Sequence, residues 1–480
     1  MPAVSRLWSC PAGIPGRAPN LPGMNRRRRR LSLAVLALSA VAVGTAVAGP
    51  PIPAAPATPK AYPSESHAAS YRAFDAHGRA VGSTKWHWTP TGGNCCETYV
   101  STLGNRLLEY GGTYPYYSDD HGKTWTQIDF LTPLYNGEGA LVGGPGGDIF
   151  GVGWDPYTGD HLQGVKYTAT TKKWEVAEAP IKSPFFDREW ITYAKGPFNV
   201  DGTIVPWITL VRGGTATKQL ELVSGDGLSY TTVSDPHSDI SGDPVRMTIP
   251  VVKNPAADSW QPNPGTYTMP LNAGGVLLVD NGDDNLGCPA ARLNASTLKW
   301  QCVRLPWTPK GTLRQDSRGW LTEVQRTSNE EIELRTSPDG GKSWKAVTLT
   351  PPTGGKFEGG ADFYDVKVNG ALGQAVVGTR VDDKKGNGQD VVWRVDVSKA
   401  QPKLLTSYAV GKGDINTIIG VTGATADRYD FPSVALFPDG RIAVSFDDST
   451  TPKSKVRDVV PATNPTGHSP AVAILDAWKH

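Results

Sequence analysis

Asp187-Arg188-Glu189 sets two acids around a guanidinium within one tripeptide, and Arg428-Tyr429-Asp430 repeats the mixture with a phenol in the middle. Further acids, arginines and tyrosines of the same kind stand at Glu97, Glu138, Asp316, Arg318, Asp362 and Tyr364. Carboxylates in pairs act as general acid and base, a tyrosine as base or nucleophile, and arginine as a planar partner for a carboxylate. These residues lie far apart along the chain. Their chemistry exists only if the fold gathers them.

The elements that must do the gathering are strands. The 480 residues include 54 Gly, 40 Pro and 15 Trp with only 20% charged residues, which suits many short strands and tight turns. No stretch in the body of the chain carries sustained helical periodicity with caps. One turn pattern occurs twice in full, as Ser118-Asp119-Asp120-His121-Gly122-Lys123-Thr124-Trp125 and as Ser337-Pro338-Asp339-Gly340-Gly341-Lys342-Ser343-Trp344. A shortened copy is Ser224-Gly225-Asp226-Gly227-Leu228-Ser229-Tyr230, and fainter echoes end at Trp174 and Trp300. The carboxylate can accept backbone N–H groups inside such a turn, glycine supplies a backbone angle other residues resist, and the aromatic residue starts the outgoing strand.

These aromatic positions recur about every fifty residues, the length of one four-stranded propeller blade. The spacing predicts an all-β, seven-bladed β-propeller, with six blades as the alternative. A β-sandwich pair or a β-helix would leave the repeated turns without a common role. Blade character continues through Asp362–Val397 and from Tyr429 to about Trp478, and the segment Ser70–Trp88 is expected to supply a strand that closes the ring. The first strand of each blade lines the central channel, so the polar residues above, placed at the starts of those strands, converge on one cleft.

The repeated turns resemble the Asp box of the sialidase-like propeller superfamily. Phe186-Asp187-Arg188-Glu189-Trp190-Ile191 is similar to the Asp-Arg-x-Trp segment of its secreted actinobacterial-type members. Arg428-Tyr429-Asp430-Phe431-Pro432-Ser433-Val434-Ala435, followed by Pro438-Asp439-Gly440-Arg441, resembles the last-blade segment. The resemblance implies a carbohydrate substrate and an exo-sialidase-like glycoside hydrolase. Arg188, Arg318 and Arg428 would bind the substrate, Tyr429 or Tyr364 would be the nucleophile, Glu189 or Glu358 its base, and Asp187 the acid. Asp362 joins Glu138, Asp187, Glu189 and Asp316 as candidates for a carboxylate pair across the channel. The Phe/Tyr-Arg-Ile-Pro segment that carries the first sialidase arginine is absent. A polysaccharide lyase and a non-catalytic propeller binding glycan or protein, through Trp86, Trp88, Trp190 and Trp260 for example, are the rival readings.

The beginning of the chain looks like a processing region. Residues 1–23 are an upstream extension. Residues 24–48 carry Arg26–Arg30, the apolar run Leu31–Val43 and Ala46-Val47-Ala48, the layout of a signal peptide. Residues 49–69 form a Pro/Ala-rich leader, and the propeller domain takes residues 70–480. The expected product is a secreted, extracellular monomer with no stable membrane span. The seven arginines of residues 1–48, unaccompanied by any acid, carry the formal charge from +2 to −5 when removed, so nucleic acid is not an expected partner.

An even set of cysteines then remains: Cys95, Cys96, Cys288 and Cys302. A local Cys288–Cys302 bridge is the first choice, with a vicinal Cys95–Cys96 bridge or crosswise pairing as alternatives. No histidine stands at ligand spacing for zinc. Asp280-Asn281-Gly282-Asp283-Asp284-Asn285 offers oxygen ligands for Ca²⁺ and also reads as a hairpin turn; no other cofactor is expected. P-loop, dinucleotide, His-Glu-x-x-His and Gly-x-Ser-x-Gly patterns are absent.

Overall fold

Alternation along each segment decides which face it buries. In Ile332–Ser337, Ile332, Leu334 and Thr336 are buried while Glu333 and Arg335 remain half-exposed, the two-residue period of a strand packed on one side. A computed structural model describes residues 61–63, 67–90, 99–110, 115–127, 139–155, 161–177, 181–182, 190–215, 218–233, 240, 244–254, 259–260, 266–280, 287–328, 330–352, 355–357, 364–382, 388–410, 433–448 and 469–476. All of them belong to the unit Ala55–His480.

The architecture is a β-propeller. Four of its sheets are meanders begun by Tyr99–Leu103, Gly139–Gly143, Thr266–Pro270 and Thr312–Gln315, and another is begun by Trp190–Val200 with Ser259–Trp260 paired to its inner edge. The remaining strands form one ten-stranded sheet that contains Tyr364–Asn369 and Ser433–Leu436. These first strands adjoin one another in cyclic order, from Tyr99–Leu103 round to Ser433–Leu436 and back.

Five blades therefore stand as separate sheets, in place of the seven or six that repeat spacing predicts. The cause is a non-local strand. His67–Phe74 pairs with Lys403–Val410 on one side and Ala80–Pro90 on the other, and Ala80–Pro90 pairs with Ser469–Leu475. The N-terminal segment thereby joins strands that spacing alone would assign to different blades.

The repeated turns share one hydrogen-bond plan. Ser118 Oγ donates to Asp120 Oδ1 (2.9 Å) and accepts from the Gly122 N–H (2.7 Å), while Asp120 accepts the Thr124 N–H (2.8 Å) and hydroxyl (2.7 Å). The Ser337 turn repeats these contacts with Asp339, Gly341 and Ser343. The Ser224 turn keeps the bonds from Ser224 to Asp226 and from the Gly227, Leu228 and Ser229 N–H groups. Gly341 has φ +90°, and a Cβ there would lie 2.0 Å from the Trp307 ring, so both backbone angle and space demand glycine.

The tryptophans that follow these turns pack between sheets. Trp125 is buried with Ala443, Val472 and Ile474 of the ten-stranded sheet. Trp300 is buried against Ile208 and Val223 of the preceding sheet. Trp86 is fully buried and meets Tyr71 and Tyr408 edge-on at 5.6 and 5.5 Å, so it is a core residue and not a sugar platform. Trp190 is buried too.

Candidate functional site

Leu103, Gly143, Pro270, Gln315, Asn369 and Leu436 are each the last residue of an innermost strand, and all six line a single cavity of about 510 Å³. Strands that end on one cavity run in the same sense. The strand ends thus share one mouth, which this cavity occupies.

Of the seven residues the sequence nominates for catalysis, Asp187, Arg188, Glu189, Asp362, Arg428 and Tyr429 lie outside the described residues, as do Glu97, Glu138, Glu358 and Asp430. Arg318 is described, and it is not at a strand beginning. It follows Thr312–Gln315 in the hairpin to Leu321–Arg326, where Nε and Nη2 donate to Asp316 Oδ2 at 2.9 and 2.5 Å. Its guanidinium lies 4.1 Å from the centre of the Trp320 ring. Asp316 also accepts the Arg318 and Trp320 N–H groups, the arrangement of an Asx turn. This pair belongs to the strand-end mouth. Tyr364 begins its strand as expected, but it is buried and its hydroxyl donates to the Val324 carbonyl at 2.7 Å, which makes it a structural tie between neighbouring sheets.

The wall of the cavity is cationic, a property the sequence reading missed. Among the described residues, Lys195, Arg314 and Lys367 line it, with Asp316 as the carboxylate there, which Arg318 engages. Lys367 is 3% exposed; its Nζ makes no hydrogen bond and lies 3.6 Å from Asp365 Oδ1. Asp365 is held in turn by the Ser433 hydroxyl (3.1 Å) and the Val434 N–H (3.0 Å) through Oδ2. Arg314 is also buried and donates to the Leu313 carbonyl. Tyr193 completes this side, its hydroxyl pushed up to about 12 by burial and then by the Asp148 charge, so it stays protonated at neutral pH. Among the described residues, the lining holds cations and no carboxylate pair. A useful sequence signal would have been a cation paired across one apolar residue with another polar residue on an innermost strand, as in Thr312-Leu313-Arg314 and Asp365-Val366-Lys367.

Other buried ionic groups serve the frame. Glu323 accepts the Lys310 and Gly311 N–H groups and bonds Arg335, yet burial outweighs them and holds its carboxyl above the usual range. Arg212 and Glu221 form a fully buried pair.

The Cys288–Cys302 bridge expected from spacing is not formed. Both residues are buried free thiols, and Cys288 donates to the Ala290 carbonyl at 3.2 Å. Burial and the adjacent Cys302 push its thiol up to about 12. Cys95 and Cys96 lie outside the described residues, as do residues 281–286 of the Ca²⁺ segment. No metal-ligand cluster and no helix long and apolar enough to cross a membrane occurs among the described residues.

No family model and no curated protein matches the chain. Among solved structures it is similar to a streptogramin B lyase, at 9% identity and a TM-score of 0.39 over 85% of this chain and 97% of that one. A triple arginine-to-alanine variant of AofleA from Arthrobotrys oligospora is similar at 12% identity and a TM-score of 0.37, over 71% and 95% of the two chains. The catalytic domain of a GH62 alpha-L-arabinofuranosidase from Coprinopsis cinerea is similar at 7% identity and a TM-score of 0.26, over 85% and 98%.

Proposed function

We propose that the chain is an exported, sialidase-like propeller that hydrolyses a carbohydrate or glycoconjugate at the mouth formed by the beginnings of its innermost strands. One observation carries the reading: six innermost strands end on the same cavity, so their beginnings share the opposite mouth. Asp187, Arg188 and Glu189 directly precede Trp190–Val200, which is not one of those six strands but reaches the cavity through Tyr193 and Lys195; Asp362 precedes Tyr364–Asn369 by two positions, and Tyr429 precedes Ser433–Leu436 by four. In this reading Asp187 is the acid, Tyr429 the nucleophile, Glu189 its base, and Arg188 and Arg428 bind the substrate, with Asp362 as a further carboxylate. Arg318 is left out because it serves the other mouth. In this reading the repeated Ser-x-Asp turns are Asp boxes on the rim.

The test is a survey of glycans, by array binding and by mass spectrometry after incubation with the chain beginning at Gly49. Hydrolysis predicts two products whose masses together equal the substrate plus one water. An unsaturated product would replace hydrolysis with a lyase reaction, and binding with no product would leave a binding propeller.

A further inference from the structure

We propose that the seam where the propeller closes on itself is a pH-sensitive latch, shut while the His121 ring is neutral and loosened when that ring takes up a second proton. The seam lies between the Ser118 turn, in the sheet begun by Tyr99–Leu103, and the turn 438–441 of the ten-stranded sheet. His121 stands at its centre with φ +58°. Its ring packs on Phe437, the two ring centres 4.9 Å apart. Its carbonyl is hydrogen-bonded to the His87 ring (2.9 Å), and the Gly122 carbonyl accepts the Thr89 hydroxyl (3.3 Å). A Cβ at Gly122 would lie 2.3 Å from Ile474 Cδ1, so the turn is seated directly on the closing strand Ser469–Leu475. His121 and Gly122 thus hold three parts of the ring together.

The position accepts a neutral ring and penalises a charged one. Nε2 of His121 is buried and makes no hydrogen bond to any described residue. Asp439 Oδ2 lies 3.8 Å away, but the same oxygen receives Arg441 Nε at 3.1 Å, and Oδ1 receives the Arg441 N–H at 3.0 Å. From the Ser118 turn, Lys123 adds a like charge, while Asp120 is bonded to Ser118 and Thr124 and Asp119 to Arg106. From the strand Ala80–Pro90, His87 is bonded to Asp476. Burial first, then the Arg441 charge, outweighs the pull of Asp439 and holds the His121 ring below its ordinary 6.5. A group lowered on folding contributes stability above its unfolded value, and that contribution is lost as pH falls below about 6.5. The carboxylates of the repeated turns respond only near pH 4 and below, so the two acid effects separate.

The latch does not depend on glycan hydrolysis, and its test reads opening of the seam alone. Amide exchange in the chain beginning at Gly49 is followed from about pH 7.5 to about pH 5, each rate corrected for the intrinsic pH dependence of exchange. Protection in Thr124–Gln127 and Ile442–Asp448 should fall by about threefold or more across this range, while Leu321–Arg326 in another sheet keeps its protection. His121→Asn, whose side chain suits a positive φ, should abolish the fall. Arg441→Gln should shrink it, because it removes a like charge and frees Asp439 to meet the charged ring. Cooperative unfolding at neutral pH checks each variant, and Arg441→Gln decides the matter if His121→Asn does not fold. Constant protection in the parent, or a fall of the parent's size in the deciding variant, overturns the proposal.

Discussion

Arg212 and Glu221 are register partners on adjacent strands, Nε 2.7 Å from Oε1, and neither side chain reaches solvent. Trp300 of the next sheet donates its indole N–H to the other Glu221 oxygen, so the pair couples two blades. Removing one member strands a buried charge. Arg212→Met should cost about 3–5 kcal/mol in denaturant unfolding, while Arg212→Met combined with Glu221→Leu should recover most of that loss. A single variant as stable as the parent would show that the pair carries no such burden.

Gly341 offers a steric test of the repeated turn. Gly341→Ala brings a Cβ against the Trp307 ring at an angle L-residues avoid, and a loss of about 2–4 kcal/mol is expected. Gly287→Ala, at φ +79° with open space around it, should lose only about 1 kcal/mol. Melting temperatures of the two variants, compared side by side, check the contrast.

The same turns predict a dependence on acid. Burial works upward on Asp339, but bonds from Ser343, Ser337 and the Ser343 and Lys342 N–H groups outweigh it and hold the carboxyl at about 2, against an ordinary 3.8. Asp120 and Asp226 are displaced downward in the same way. A carboxyl lowered on folding stabilises fully above its unfolded value, and that contribution is lost as pH falls from about 4 through about 2. Asp339 is solvent-facing, which keeps its share below about 1 kcal/mol. Unfolding free energies measured across this window should fall less steeply in Asp339→Asn than in the parent.

Ring closure has its own marker. The His87 ring is hydrogen-bonded to Asp476 through Nδ1 (2.5 Å) and to the His121 carbonyl through Nε2 (2.9 Å), which ties the strand Ala80–Pro90 to the chain's C-terminal segment and to the Ser118 turn. His87→Ala should cost about 1–3 kcal/mol. Amide exchange in Ala80–Pro90 should quicken before exchange in Leu321–Arg326, and equal exchange in both strands would contradict this role.

Local features of the fold were legible, and non-local ones were not. The Ser118 and Ser337 turns announce themselves because their bonds close within four residues, and Trp125 and Trp300 announce the packing that follows. The partnership of His67–Phe74 with Lys403–Val410 leaves no local trace, since it depends on where a strand more than three hundred residues distant comes to lie. Arg314 and Lys367 look like solvent-facing alternates in sequence, and only the neighbouring sheets reveal their burial beside a cavity. Arg318 was misplaced because the hairpin residues after Gln315 resemble a strand start. Cys288 and Cys302 were expected to form a bridge, but spacing does not decide whether sulfurs join, and both are free thiols.

The central claim is that catalysis takes place where the innermost strands begin. Its most direct measurement is the rate of glycan release by the chain from Gly49 beside Asp187→Asn and Tyr429→Phe, over a panel of chromogenic glycosides and acidic oligosaccharides. Turnover of at least one substrate by the parent, reduced by about 100-fold or more in each variant, is the predicted result. No release from any substrate, or equal release by parent and variants, would contradict it.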